Sequence, residues 1–192
     1  MKRSFFNVIK IIVFILGFLG ALYIFMPWDA AGRLALSIAH RQLEQRGMRL
    51  NFSDVTAAEE GFTVHNLAAS GMVNMAFNSI TIRPQLLTSV LSLAPVCDIE
   101  FTGLGIQLGQ RMNFGNGGFL LTAGRSQIML ENLRTNGDFS LNGYMSVNLE
   151  TMKIGTSDAR FNVPESFAQN MDMIKNFLPL VQEGGQWYLR RQ

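Results

Sequence analysis

F-S-L-N-G-Y-M-S-V-N-L-E, residues 139–150, alternates apolar and polar side chains without a break. Phe139, Leu141, Met145, Val147 and Leu149 fall on one side with Gly143; Ser140, Asn142, Tyr144, Ser146, Asn148 and Glu150 fall on the other. A period of two belongs to a strand, whose successive side chains point to opposite faces. One apolar and one polar face is the pattern of an antiparallel sheet that is buried on one side and wet on the other. Asn136-Gly137-Asp138 introduces the stretch with a turn signal of the Asn-Gly kind that joins hairpin strands. The reading that follows is a mainly β chain with a mostly antiparallel, curved sheet and a few short helices. Its apolar sheet face includes Phe139, Leu141, Met145, Val147 and Leu149.

The same period runs outward from there. Toward the N-terminus, residues 119–123 and 127–130 read as strands, and Gly115, Gly117 and Gly118 read as a hairpin loop. In residues 96–102, Cys97, Ile99 and Phe101 face one way and Asp98 and Glu100 the other; Leu104, Ile106 and Leu108 continue in opposite parity after Gly103. Residues 72–82 alternate through Val73, Met75 and Phe77, then switch parity to Ile80 and Ile82, which predicts a bulge near Asn78-Ser79. Pro84 stops that strand, and residues 86–93 form a short helix or turn. Met48, Leu50, Phe52 and Val55 make one strand; Phe62, Val64 and Leu67 make another after the Glu59-Glu60-Gly61 turn. Toward the C-terminus, Met152 and Ile154, then Ala159, Phe161 and Val163, add strands. Residues 164–177 read as a helix with Phe167, Met171 and Ile174 on one stripe, ended by Pro179. Trp187, Tyr188 and Leu189 form a last strand after the Gly184-Gly185 turn.

The N-terminus has a different character. Residues 11–28 carry no charge, and a bilayer core needs about 20 helical residues, so the run reads as a transmembrane anchor. Its apolar body includes Ile11, Phe14, Leu16 and Leu19, with Tyr23 and Trp28 toward the outer end, where aromatics favour the headgroup layer. Lys2, Arg3 and Lys10 precede it, with no acid before Asp29. The positive-inside bias then keeps residues 1–10 as a cytoplasmic tail and exports the rest. A cleaved signal peptide, with a small-x-small site at Ala30 and Gly32, is the competing reading; the length of the apolar run favours a retained anchor. Gly17 and Ala21 form a small-x-x-x-small pair that would let anchor helices approach closely. Residues 29–47 follow as a juxtamembrane helix with Asp29 as N-cap and Gly47 at its end. It either lies on the membrane surface or caps the core of a β-rich periplasmic domain at 48–192. These boundaries imply a single-pass inner-membrane protein with its N-terminus in the cytoplasm.

Charge and chemistry narrow the function. The chain has 16 basic and 14 acidic residues; without the three bases of the first 28, the exported part holds 13 against 14. That balance, with only the Arg190-Arg191 pair near the C-terminus, argues against nucleic-acid binding. Cys97 is the single cysteine, so no intramolecular disulfide forms and the domain depends on its core. The two histidines, His40 and His65, sit in no motif. G-x-S-x-G, Cys-x-x-Cys, H-E-x-x-H and a phosphate loop are all missing. Gly115-x-Gly117-Gly118 lacks the Lys-Ser/Thr of a phosphate loop and leads into a strand. Asp98 and Glu100 share one strand face, which alternation assigns to a solvated sheet edge. No catalytic residues, metal ligands or cofactor are expected.

Several segments, taken in order, resemble protein N of the bacterial type II secretion system. They are M-P-W-D-A-A-G-R-L-A-L at 26–36, G-F-T-V-H-N-L at 61–67, I-T-I-R-P-Q-L-L-T-S-V-L at 80–91 and E-F-T-G at 100–103. L-E-N-L-R-T-N-G-D-F-S-L-N-G-Y at 130–144 and G-Q-W-Y-L at 185–189 complete the pattern. The strand pair followed by residues 80–87 is also similar to AsmA-like envelope proteins. The resemblance implies a non-enzymatic inner-membrane accessory component of the secretion apparatus, whose periplasmic β domain makes protein–protein contacts with other secretion subunits. The AsmA-like likeness implies the alternative, a periplasmic lipid-binding or lipid-transfer module with phospholipid as ligand. Eleven methionines would make an apolar face adaptable enough for that role.

Overall fold

The computed structural model describes residues 14, 17, 18, 20, 21, 23, 25–45, 47–71, 73–108, 110–151, 153–164, 167, 175 and 178–191. Helix α1 (Trp28–Glu44) leads into strands β1 (Arg49–Asn51), β2 (Asp54–Ala58), β3 (Gly61–Ser70) and β4 (Asn74–Pro84). Helix α2 (Leu86–Ser92) follows, then β5 (Val96–Leu108), β6 (Gln110–Ala123), β7 (Gln127–Thr135) and β8 (Ser140–Asn148). The remaining strands are β9 (Ile154–Asn162), β10 (Leu180–Glu183) and β11 (Gln186–Arg191). They make one sheet in the order β1-β3-β4-β5-β6-β7-β8-β9-β11-β10, with β2 also on β3, and every pairing is antiparallel. The mainly β, antiparallel reading therefore stands, and almost every hairpin partner is the next strand in sequence.

The sheet is curved around its apolar face. Phe114 on β6 and Phe161 on β9 stack with ring centroids 6.2 Å apart. Three strand spacings separate them, which is roughly 14 Å in a flat sheet. The rings meet only because the sheet curls, with its apolar side concave.

A crease of irregular backbone helps the curl. Val64 and Leu67 on β3, Phe77 and Ile80 on β4, and Phe101 and Leu104 on β5 all turn inward across a change of parity. Between them sit Asn66 at φ 52° and Gly103 at φ 65°. The register of β3 with β4 is unbroken on either side, Leu67 facing Phe77 and His65 facing Ser79, because both strands switch together. The irregularity expected at Asn78-Ser79 is thus one rung of a crease through three strands. Asn116 Oδ1 accepts the Gly103 N–H at 3.1 Å, and Asn136 Oδ1 accepts the Asn116 N–H at 2.9 Å. Asparagine side chains take up backbone groups that a disrupted ladder leaves without partners.

Several expectations need correction. Gly115, Gly117 and Gly118 are not a hairpin loop: they lie inside β6, and the chain reverses at 108–110, where Leu108 pairs with Gln110. A Cβ on Gly117 would stand 2.7 Å from the Phe101 ring, and one on Gly118 2.8 Å from the Ile99 carbonyl oxygen. These glycines serve close approach within a strand rather than a turn. The first strand is two, β1 and β2, placed end to end along β3. Residues 96–108 are one strand with a register shift between Phe101 and Leu104. Asp29 is not the N-cap of α1: Pro27 holds that position, and Asp29 lies in the first turn. There its charge still complements the helix dipole. Gly47, at φ 75°, ends the helix as expected, with its N–H on the Glu44 carbonyl at 3.0 Å. β10 was not foreseen; its turn to β11 places Gly184 and Gly185 at φ 57° and 79°, the two positive angles of a type I′ hairpin.

Among the described residues no helix is long and apolar enough to cross a membrane. Phe14, Gly17, Ala21 and Tyr23 are helical, whereas Ile11, Leu16 and Leu19, and the flanking Lys2, Arg3 and Lys10, lie outside the described residues. So do Met171, Ile174 and most of the helix read at 164–177.

Candidate functional site

The concave face carries three buried clusters. At the N-terminal end, Leu36 of α1 packs with Leu50, Val55, Phe62 and Val64, and Trp28 and Leu43 flank them. Ile80, Ile99 and Phe101 form the middle, with Cys97, Phe119 and Leu121 against them. Met112, Phe114, Phe139 and Phe161 form the third cluster, with Phe167 and Trp187 beside it. Of the expected apolar sheet face, Phe139 is buried in this aromatic cluster and Leu141 packs on it. Thr135 fixes their entry: its buried Oγ1 accepts the Leu141 N–H at 2.9 Å. Met145, Val147 and Leu149 are half-buried and belong to none of the three clusters. Ser146, read as solvent-facing, is 1% exposed and donates to the Thr156 carbonyl at 3.1 Å. The pairing of β8 with β9 shifts register between Met145 and Val147.

The opposite face is polar, and its charges are tied across strands. Arg83 on β4 reaches Glu100 at 2.9 Å and Asp98 at 3.6 Å on β5. The Glu100 hydrogen bond in particular raises the Arg83 pKa further, so the guanidinium stays charged. Arg190 on β11 spans Glu183 at 2.7 Å and Asp158 at 3.3 Å. Asp98 and Glu100 do face solvent, but β5 is not an edge: β4 and β6 flank it. A shallow depression of about 820 Å³ opens on this face among Asp98, Glu100, Glu131, Arg134, Asn142 and Tyr144. Its groups can form ion pairs and hydrogen bonds with a polar partner. Neither histidine lines it: His65 Nε2 is 3.1 Å from Thr56 Oγ1 on β2, and His40 lies on α1 near Glu44.

Burial pushes the Cys97 thiol pKa up, which disfavours the thiolate, as expected of a small core residue. Among the described residues no group of His, Cys, Asp and Glu is arranged to hold a metal ion.

A family model described as type II secretion system protein GspN-like, Synergistales, matches residues 6–191. The chain belongs to this family. No curated protein and no solved structure matches it. The family match takes in the whole uncharged run at 11–28 together with the whole sheet, so family membership applies to both parts. It places the chain among type II secretion components. Two features of this GspN-like chain escaped the sequence reading. The arginine clamp on Asp98 and Glu100 needed the β4–β5 register to be seen. The apolar exposure of α2 was written in the sequence as an uncharged run, but a helix or turn assignment does not say which way it points.

Proposed function

We propose that this protein is a non-enzymatic accessory component of a type II secretion system, held in the inner membrane by residues 11–28. The family match over residues 6–191 carries this reading. The N-terminal tail stays in the cytoplasm and the β-rich domain works in the periplasm. Supporting the topology, the bases Lys2, Arg3 and Lys10 precede an uncharged run and no acid does. The domain acts through protein–protein contacts. Among the described residues β10 is an edge strand, which offers backbone groups to a partner strand. In the anchor, Gly17 and Ala21 form the helix–helix contact; a Cβ on Gly17 would meet nothing within 4 Å. Gly17→Leu is then expected to weaken helix association in a membrane reporter, and an unchanged signal would remove that contact from the scheme.

The AsmA-like alternative, phospholipid binding on the concave face, draws on one observation: Met145 and Val147 are half-buried and outside the clusters that fill the two ends. Deleting the gene in the host separates the two readings. Loss of secreted cargo with unchanged envelope lipid composition supports the secretion role; altered lipid distribution with normal secretion would replace it with the lipid role.

A further inference from the structure

We infer that α2 and its C-terminal turn, residues 86–95, are a second membrane contact, dipping into the outer leaflet beside the anchor. This rests on the anchored reading and adds to it a lipid-facing surface on the β domain itself. Helix α2 buries none of its residues. Leu87 is 82% exposed, Leu91 85% and Leu93 93%, with Val90 also open. From Pro84 to Cys97 the chain has no charged residue. An apolar projection of this size marks an interaction surface rather than an ordinary exposed side chain.

Three observations choose lipid over water or a polar partner. The first is how the hydroxyls are used. Ser89 Oγ donates to the Gln85 carbonyl at 2.7 Å and accepts the Val96 N–H at 2.8 Å; Ser92 Oγ donates to the Thr88 carbonyl at 2.7 Å. Both serine hydroxyls are satisfied within the segment, which is what a non-hydrogen-bonding medium requires. The second is Leu93, held at φ 52° as the C-cap of α2. Glycine or asparagine takes that conformation at lower cost, so a large apolar side chain is retained against local strain. The third is position. The Tyr23 hydroxyl lies 3.3 Å from the carbonyl of Pro84, the last residue of β4 before α2 begins, and 3.4 Å from that of Glu60. Phe25 and Met26, also exposed, continue from Tyr23. The exit of the anchor and the apolar tip are therefore at the same end of the sheet, where one bilayer surface meets both.

The test uses the full chain with Cys97→Ser, carrying an environment-sensitive fluorophore on a single introduced cysteine at Leu91, Phe18 or Asn136. The protein is placed in vesicles of phosphatidylethanolamine and phosphatidylglycerol, with or without lipids bearing nitroxide quenchers along the acyl chains. Quenching at both Leu91 and Phe18, with none at Asn136, is the expected result. Quenching at Phe18 but not at Leu91 would overturn the α2 contact and leave the anchor intact. Quenching at neither would end both. Shielding of Leu91 from aqueous iodide without nitroxide quenching would mean that protein covers α2, and would also overturn the assignment.

Discussion

Helices α1 and α2 are both rich in aliphatic side chains and meet opposite fates. α1 carries Asp29, Arg33, His40, Arg41 and Glu44, so it has a wet face to show, and it lays Gly32 and Leu36 on the sheet. α2 has no charge and buries nothing. Length and apolar content do not separate a core helix from an exposed one. What separates them is whether the opposing surface has room. Gly32 lets α1 approach so closely that an added Cβ would stand 2.6 Å from the Phe62 ring and 2.9 Å from Val55. α2 is pinned by its own serine bonds and by Gln85 N–H on the Val96 carbonyl at 2.8 Å, with its leucines turned away from β5.

If that contrast is right, substitutions at the sheet-facing residues of α1 cost folding free energy and those at the exposed leucines of α2 do not. Leu36→Ala has the largest expected effect, roughly 2–4 kcal/mol by denaturant unfolding, from lost burial and an unfilled cavity. Gly32→Ala follows at about 1–3 kcal/mol, because the buried Phe62 ring must move. The same change in a Phe62→Leu background is expected to cost less, and strict additivity in that double-mutant cycle would show that the ring is not the obstacle. Ser89→Ala should cost about 1 kcal/mol, since it leaves the Val96 N–H without its acceptor. Leu91→Ser should change stability in detergent-free buffer by no more than about 0.5 kcal/mol. A loss as large as that of Leu36→Ala would mean that α2 packs on something after all.

The smallest effect is a pH dependence at the α1 end. Asp54 accepts a hydrogen bond from the Val55 backbone and another from Arg33, whose Nη2 is 2.8 Å away, and both hold its carboxyl below the usual range. A depressed folded-state pKa contributes stability above the unfolded value, about pH 4, and the contribution is lost as pH falls through the folded value. Acid titration of stability should therefore show a shallow extra loss below about pH 4 that Arg33→Met reduces. An identical acid limb in that variant would show the pair to be idle, as exposed ion pairs often are.

The period-two pattern was enough to read the sheet and its antiparallel pairing. It failed where backbone geometry overrides side-chain pattern. The glycines of β6 look like a turn in one dimension; the neighbouring Arg134 and Ile99 carbonyls and the Phe101 ring explain why a strand needs them. Ser146 looks solvent-facing, yet it is buried with its hydroxyl on the Thr156 carbonyl of β9. β10 was hidden because Leu180–Glu183 is short and lies at an edge, where little patterning is required of it. The polar depression was illegible for a different reason: its residues come from four strands and share no local signature.

The most direct test of the secretion role is crosslinking in native membranes, followed by purification and mass spectrometry of both co-purified proteins and lipids. Inner-membrane secretion subunits recovered without stoichiometric phospholipid are the expected result. Bound phospholipid with no secretion component would contradict the account and assign the concave face to lipid.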